Sequence, residues 1–189
     1  MKKILYLSLF ALVVMFVASC GNQPKSNPPS FDVEDSIVEE VADTTLYGVC
    51  GDATSMHMLS LVTYQGDTIT LQMDLDEKST VVGGMLVGDH LAVIRNLSDD
   101  GEPIASKVIN LTSLLGRWIS IDKNFNILEG GVVHSNIEAE KHPWTTWKIL
   151  NGMLLLNTDT FNINELGADS LYLENNEGIY VFQRVRSNE

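Results

Sequence analysis

His134-Ser135-Asn136-Ile137-Glu138-Ala139-Glu140-Lys141-His142 is the run whose side chains could most readily do chemistry. In an extended chain, His134, Asn136, Glu138, Glu140 and His142 project from one face. Imidazoles beside carboxylates suit zinc or another divalent ion. Neighbours two apart lie about 6.6 Å from each other, too far for joint ligation without a bend. The run therefore reads as a polar, solvent-facing surface. Asp74, Asp76 and Glu77, and Asp99, Asp100 and Glu102, are oxygen clusters of the kind hard cations take. The twelve-residue spacing of a calcium loop is absent from both.

Nucleophilic chemistry has little to start from. Cys50 would need a base, and His57 is the nearest in sequence. Beside Gly51 it reads as a buried small hydrophobe instead. Asp52 and Ser55 sit near His57, and His90 follows the Gly88-Asp89 turn, but they are too scattered to form a triad. No Gly-x-Ser-x-Gly elbow, phosphate loop, dinucleotide fingerprint or HExxH is present. No catalytic residue, metal or cofactor is expected, and the chain reads as a non-enzyme. Trp144 and Trp147 are three apart and so face opposite sides of a strand. One belongs in a core and the other lines a cavity or an exposed patch, which makes both candidate ligand-lining residues.

Charge narrows the classes further. The chain of 189 residues has a formal net charge of −13. Its first 19 residues hold two lysines and no acid, so the remainder stands at −15. Ten basic residues against 25 acidic ones cannot neutralise phosphates, which excludes a nucleic-acid partner. Two cysteines exclude a disulfide scaffold. One apolar run approaches spanning length, which excludes a polytopic membrane protein.

That run carries the sharpest signal in the sequence. Lys2 and Lys3 form a positive start, and Ile4 to Phe16 is apolar except for Ser8, the layout of a signal-peptide leader. Val17-Ala18-Ser19-Cys20 follows, with small residues before a cysteine. This pattern resembles the bacterial lipobox. The resemblance implies that residues 1–19 are removed and that Cys20 becomes the acylated mature N-terminus. It implies a membrane-anchored lipoprotein of the cell envelope. Gly21, with no acidic cluster directly behind it, points by the same resemblance to the outer membrane facing the periplasm. One acyl chain anchors marginally and several anchor stably. The body's negative charge gains nothing from an anionic membrane surface, so the lipid must do the holding.

Residues 20–43 read as a tether, with three of the chain's five prolines and six acidic residues. About 23 extended residues reach at most ~75 Å. The acidic half, with Val33, Ile37, Val38 and Val41 on one side, could form a short helix, but reads better as a solvated linker.

From Thr45 onward the apolar residues alternate or come in short runs, which predicts an all-β fold. Residues 44–110 read as a small β-barrel of OB-like or SH3-like type. Its expected strands are Leu46 to Cys50, Met58 to Tyr64, Thr68 to Met73, Thr80 to Val87, His90 to Arg95 and Ile104 to Asn110. Hairpins are expected at Gln65-Gly66-Asp67 and at Gly88-Asp89, and a bulge or corner at Gly83 and Gly84. Residues 111–189 open with a helical turn at Leu111 to Leu115. Seven strands then form a meander: Trp118 to Asp122, Gly131 to Ile137, Trp144 to Leu150, Met153 to Leu156, Thr160 to Asn164, Ser170 to Leu173 and Ile179 to Val185. Asn151-Gly152 is the strongest hairpin signal, and Glu174 to Gly178 marks another turn.

Leu115-Gly116-Arg117-Trp118 at the head of this meander resembles the opening Gly-x-Trp of lipocalin-like domains. Asn164 to Leu171, followed by the closing strand Ile179 to Arg184, resembles small lipocalin-like bacterial lipoproteins. The resemblance implies that Trp118 plugs the closed end of a barrel, with Arg184 or Arg186 stacking on it. It makes Trp118, Trp144 and Trp147 the candidate ligand-binding residues. The leading expectation is a lipid-anchored, non-catalytic binding module for a small apolar or amphipathic ligand, or for an envelope protein. The alternative is a structural or protein-interaction lipoprotein whose barrels are filled by side chains.

Overall fold

A computed structural model describes residues 42–74 and 79–186. The leader, Cys20, the tether up to Val41, and Asp76 and Glu77 of the first acidic cluster lie outside the described residues. The described chain is all-β, with one short helix and one 3-10 turn.

Six strands build the first sheet: β1 (Leu46–Cys50), β2 (Met58–Thr63), β3 (Thr68–Gln72), β4 (Thr80–Val82), β5 (His90–Leu97) and β6 (Pro103–Asn110). β1, β2 and β3 follow one another as antiparallel neighbours, and β5 returns to lie beside β1, a Greek-key arrangement. β6 pairs with β5 and meets β3 in parallel at Gln72 and Ile104, which closes the sheet on itself. Leu59, Leu61, Leu71, Leu91, Val93 and Val108 fill the inside, together with Cys50, which is buried as a small hydrophobe. Its thiol lies 3.4 Å from Thr54 Oγ1.

One expected hairpin does not form. The sequence pairs Thr80 to Val87 with His90 to Arg95, but β4 stops at Val82 and runs parallel to β6. Gly83 (φ +92) and Gly84 (φ +70) turn the chain away. A Cβ at Gly83 would stand 2.9 Å from the Asn110 Cβ, so only glycine fits. The freed carbonyl of Gly83 accepts from Asn110 Nδ2 and Ser113 Oγ, at 3.3 and 2.9 Å.

Asn110 also caps the short helix α1 (Leu111–Leu114), accepting from the Ser113 N–H at 2.9 Å. Eight strands follow: β7 (Gly116–Ile119), β8 (Asn124–Leu128), β9 (Val132–Ser135), β10 (Trp147–Leu150), β11 (Met153–Leu156), β12 (Asp159–Leu166), β13 (Ser170–Asn175) and β14 (Gly178–Arg184). Each pairs antiparallel with its sequence neighbour except β9 and β10, the two ends of the sheet, and β14 pairs back onto β7. A single bridge, Val132 to Thr146, joins β9 to the start of β10. The result is a nearly closed, up-and-down barrel. The meander has one strand more than expected, because β8 carries two asparagines, which strands disfavour. Phe125 and Ile127 of β8 are nevertheless buried. β7 is shorter than expected, ending at Ile119, and the chain turns through Ser120 to Asp122. Trp144 precedes β10 instead of opening it.

The barrel's core continues into the first sheet through Val82, Ala92 and Ile109, with Leu111 and Leu114 of α1 between. Polar ties reinforce it. Lys107 Nζ donates to Asn162 Oδ1 at 2.8 Å, and Tyr47 Oη donates to the Ile149 carbonyl at 2.6 Å. At the β10–β11 turn, Asn151 (φ +48) accepts from the Thr44 N–H at 2.9 Å, and its Nδ2 donates to the Ala42 carbonyl at 3.1 Å.

Burial, with the Asp43 charge adding to it, pushes the Tyr47 phenol up to about 12. A raised phenol contributes its stability fully below the free tyrosine value near ~10 and loses it as pH rises through the folded value. Tyr47→Phe is therefore expected to flatten the loss of stability between pH ~10 and ~12, and to cost about 0.5–1.5 kcal/mol at neutral pH through the missing hydrogen bond. Urea melts across alkaline pH check this; an unchanged alkaline limb refutes it.

Candidate functional site

Alternation along the barrel strands sends Trp118, Phe125, Ile127, Ile149, Leu154, Phe161, Leu171 and Phe182 inward. The two ends of this interior differ. At one end Trp118 is fully buried, its Nε1 donating to the Leu114 carbonyl at 3.0 Å. Arg184 lies over its ring, Cζ 4.1 Å from the centroid. Arg186 instead pairs with Asp169 at the surface, at 2.8 Å. Burial lowers the Arg184 guanidinium from its ordinary value, with Asp169 opposing that shift.

At the other end the loop after β9 folds Trp144 into the barrel. Its indole is 8% exposed and meets Phe125, Phe161 and Phe182 at centroid distances of 5.2, 5.7 and 6.4 Å. Phe125 meets Phe182 at 5.2 Å, and Phe161 meets Tyr180 at 5.5 Å. These are edge-to-face contacts at ring-contact distance. Aromatic rings therefore occupy the upper half of the barrel, as Trp118 occupies the base.

What stays open is a hollow of about 780 Å3 above them. Trp144, Met153, Phe161 and Tyr180 form its apolar part. Lys123, His142, Asp159, Glu174 and Glu177 are its ionisable lining, beside Thr160 and three asparagines. Lys123 Nζ sits 4.5 Å from the Trp144 ring centroid and is ion-paired with Glu140, which also accepts from Ser135 Oγ. Trp144 Nε1 donates to Asp159 at 3.1 Å. Indole, ammonium and two carboxylates thus form one clasp that holds the loop across the barrel mouth. Burial would raise the Glu140 carboxyl, but hydrogen bonds from Lys123 and Ser135 and the Lys123 charge outweigh it and hold the group below the ordinary range.

A depressed carboxyl contributes its stability fully above the free glutamate value and loses it as pH falls through the folded one. Glu140→Gln is expected to remove part of the acid loss of stability below pH ~4.3. It should also free Trp144, which tryptophan emission would register as a red shift at neutral pH. An unchanged spectrum and acid limb would contradict the clasp.

The other candidates lie elsewhere. The extended alternation from His134 to His142 does not form, because β9 ends at Ser135 and the chain turns at Glu138 and Ala139. His134 is on the outer surface, while His142 reaches the hollow. Among the described residues, no group of three His, Cys, Asp or Glu side chains converges as metal ligands would. His142 and Asp159 line the same hollow, but no hydrogen bond joins them, and no serine or cysteine lines it. His90 is engaged with Tyr64, Nδ1 to Oη 2.8 Å. Trp147 is half-buried on the other flank of the barrel, its Nε1 donating to the Leu128 carbonyl at 2.7 Å. The Lys123–Glu140 pair carries no local signal in the sequence, since a loop of unpredictable path separates its members.

Compared with known proteins, the chain matches no family model, no curated sequence and no solved structure.

Proposed function

We propose that this chain is a lipid-anchored lipoprotein of the bacterial cell envelope, held through Cys20, whose body is a non-catalytic protein-interaction module. The body combines an OB-like first barrel with a lipocalin-like second one. Support for the first is the Greek-key order with its parallel closure of β3 on β6. Support for the second is the up-and-down order of eight strands with Trp118 at its base under Arg184. The observation that carries the interaction reading is the occupied interior. A barrel of eight strands has room for side chains or for one small ligand. Here Trp118, Phe125, Trp144, Phe161 and Phe182 take that room.

One observation favours the small-ligand reading: the hollow at the mouth, of a size that ligand sites share. An amphipathic molecule there would lie against Trp144 and Tyr180. The two readings separate in a titration of the protein with a panel of fatty acids, sterols and isoprenoids, followed by tryptophan emission. The interaction reading expects no saturable change. Saturable quenching that Trp144→Phe abolishes would establish the ligand reading.

For the anchor, the expected result is incorporation of labelled palmitate into the wild-type protein, recovered with membranes, and no incorporation into Cys20→Ala. Equal labelling of the two, or none in either, would refute acylation at Cys20.

A further inference from the structure

The barrel wall has a gap. β14 pairs with β13 from Gly178 to Gln183, but with β7 only at Gln183 and Arg184. β7 ends at Ile119, and the Ser120 N–H bonds to the Lys123 carbonyl, turning the chain away. Among the described residues, nothing pairs with β14 from Gly178 to Phe182 on that side. The opening is a groove of about 630 Å3. Its outer rim is apolar and exposed: Ile119 at 36%, Ile121 at 107%, Ile179 at 64% and Val181 at 49%.

Natural sheets blunt such edges with lysine, proline or a covering element. The stretch Gly178 to Phe182 contains no charge and no proline. An open main chain flanked by alternating apolar side chains is the surface that accepts an added strand. Five residues of strand span about 17 Å, the length of the gap's free edge. Asp122 is the charged residue lining the groove, and Glu177 precedes its far end. With residues 44–189 at a net charge of −10, the groove favours a partner with cationic ends. A second copy would bring two bodies of the same negative sign together.

We propose that this edge of β14 binds an extended segment of a partner protein by strand addition, a segment with apolar residues at alternate positions and basic residues at its ends. The proposal rests on the interaction reading and names the partner's chemistry.

The test uses the full mature chain in detergent and a fluorescent octapeptide that alternates Val and Thr and ends in Lys on both sides. Saturable binding by anisotropy is expected. Replacing the terminal Lys residues by Glu should weaken binding about tenfold, a difference of one decade in affinity. N-methylation of alternate amides should abolish it. Ile179→Asp and Val181→Asp, both at exposed outer positions, should each weaken it about tenfold, while Leu86→Asp, an exposed apolar site elsewhere, should leave it unchanged. Thermal melts confirm that the variants fold. Absence of binding, equal binding of the N-methylated peptide, or retention by Ile179→Asp would overturn the proposal. Concentration-dependent dimers lost in Val181→Asp would overturn it in favour of a second copy. Failure here leaves the lipophile titration untouched, so the interaction reading falls only if that titration finds a ligand.

Discussion

Trp118→Ala is expected to lower stability by about 3–5 kcal/mol, the range for removing a large aromatic from a core. Total stability for a domain is about 5–15 kcal/mol, so the variant should sit near the edge of folding. Three losses act together. The indole is completely buried, so its removal leaves a cavity at the base of the barrel. Its Nε1 satisfies the Leu114 carbonyl, one of the orphan acceptors at the end of α1. Its face receives Arg184. Trp118→Phe separates these, keeping most of the volume and losing the hydrogen bond, at about 1–3 kcal/mol for the acceptor left unpaired. Urea denaturation of both variants checks the order. A Trp118→Ala variant within 1 kcal/mol of wild type would show that the base of the barrel is not what the residue holds.

Arg184→Ala is expected to cost about 2–4 kcal/mol, because charge-assisted hydrogen bonds contribute about 1.5–3 kcal/mol each and solvent reaches part of this side chain. The guanidinium donates to three carbonyls: Ala168 and Leu115, both at 2.7 Å, and Ser113. It thereby links the end of α1, the start of β7 and the β12–β13 turn. Arg184→Lys should recover little of this, since a lysine ammonium cannot supply the planar fork. Gly116 belongs to the same device. Its φ of +133° suits glycine, and a Cβ there would lie 2.4 Å from Arg184 Nη1. In a double-mutant cycle with Trp118→Ala, a coupling of about 0.5–2 kcal/mol is expected from the cation over the ring. Strict additivity would mean that the stack contributes nothing.

Much of the fold was legible where the signal is local. Asn151-Gly152 and Gln65-Gly66-Asp67 mark real hairpins, because their turns need the positive φ that asparagine and glycine tolerate. The helical turn at Leu111 follows from its asparagine cap. β8 was hidden by its asparagines, whose outward side chains are tolerated because Phe125 and Ile127 pack inward. The pairing of β4 is not legible locally, because its partner is β6, some 27 residues on, rather than the adjacent β5. Spacing alone puts Trp144 on a strand. Its burial depends on Asp159 and Lys123, which reach it from distant parts of the chain. The gap beside β14 was equally invisible, since the expected strand ran on to Asp122 and β7 stops three residues sooner.

Asn151 has a mechanical consequence. The residues just before β1 are stitched by its side chain to the β10–β11 turn, which belongs to the eight-stranded barrel. A pull arriving from upstream of Ala42 therefore does not reach β1 alone. The load divides between both halves of the body at once, so a force applied there should strain the seam between them before it peels any single ribbon away.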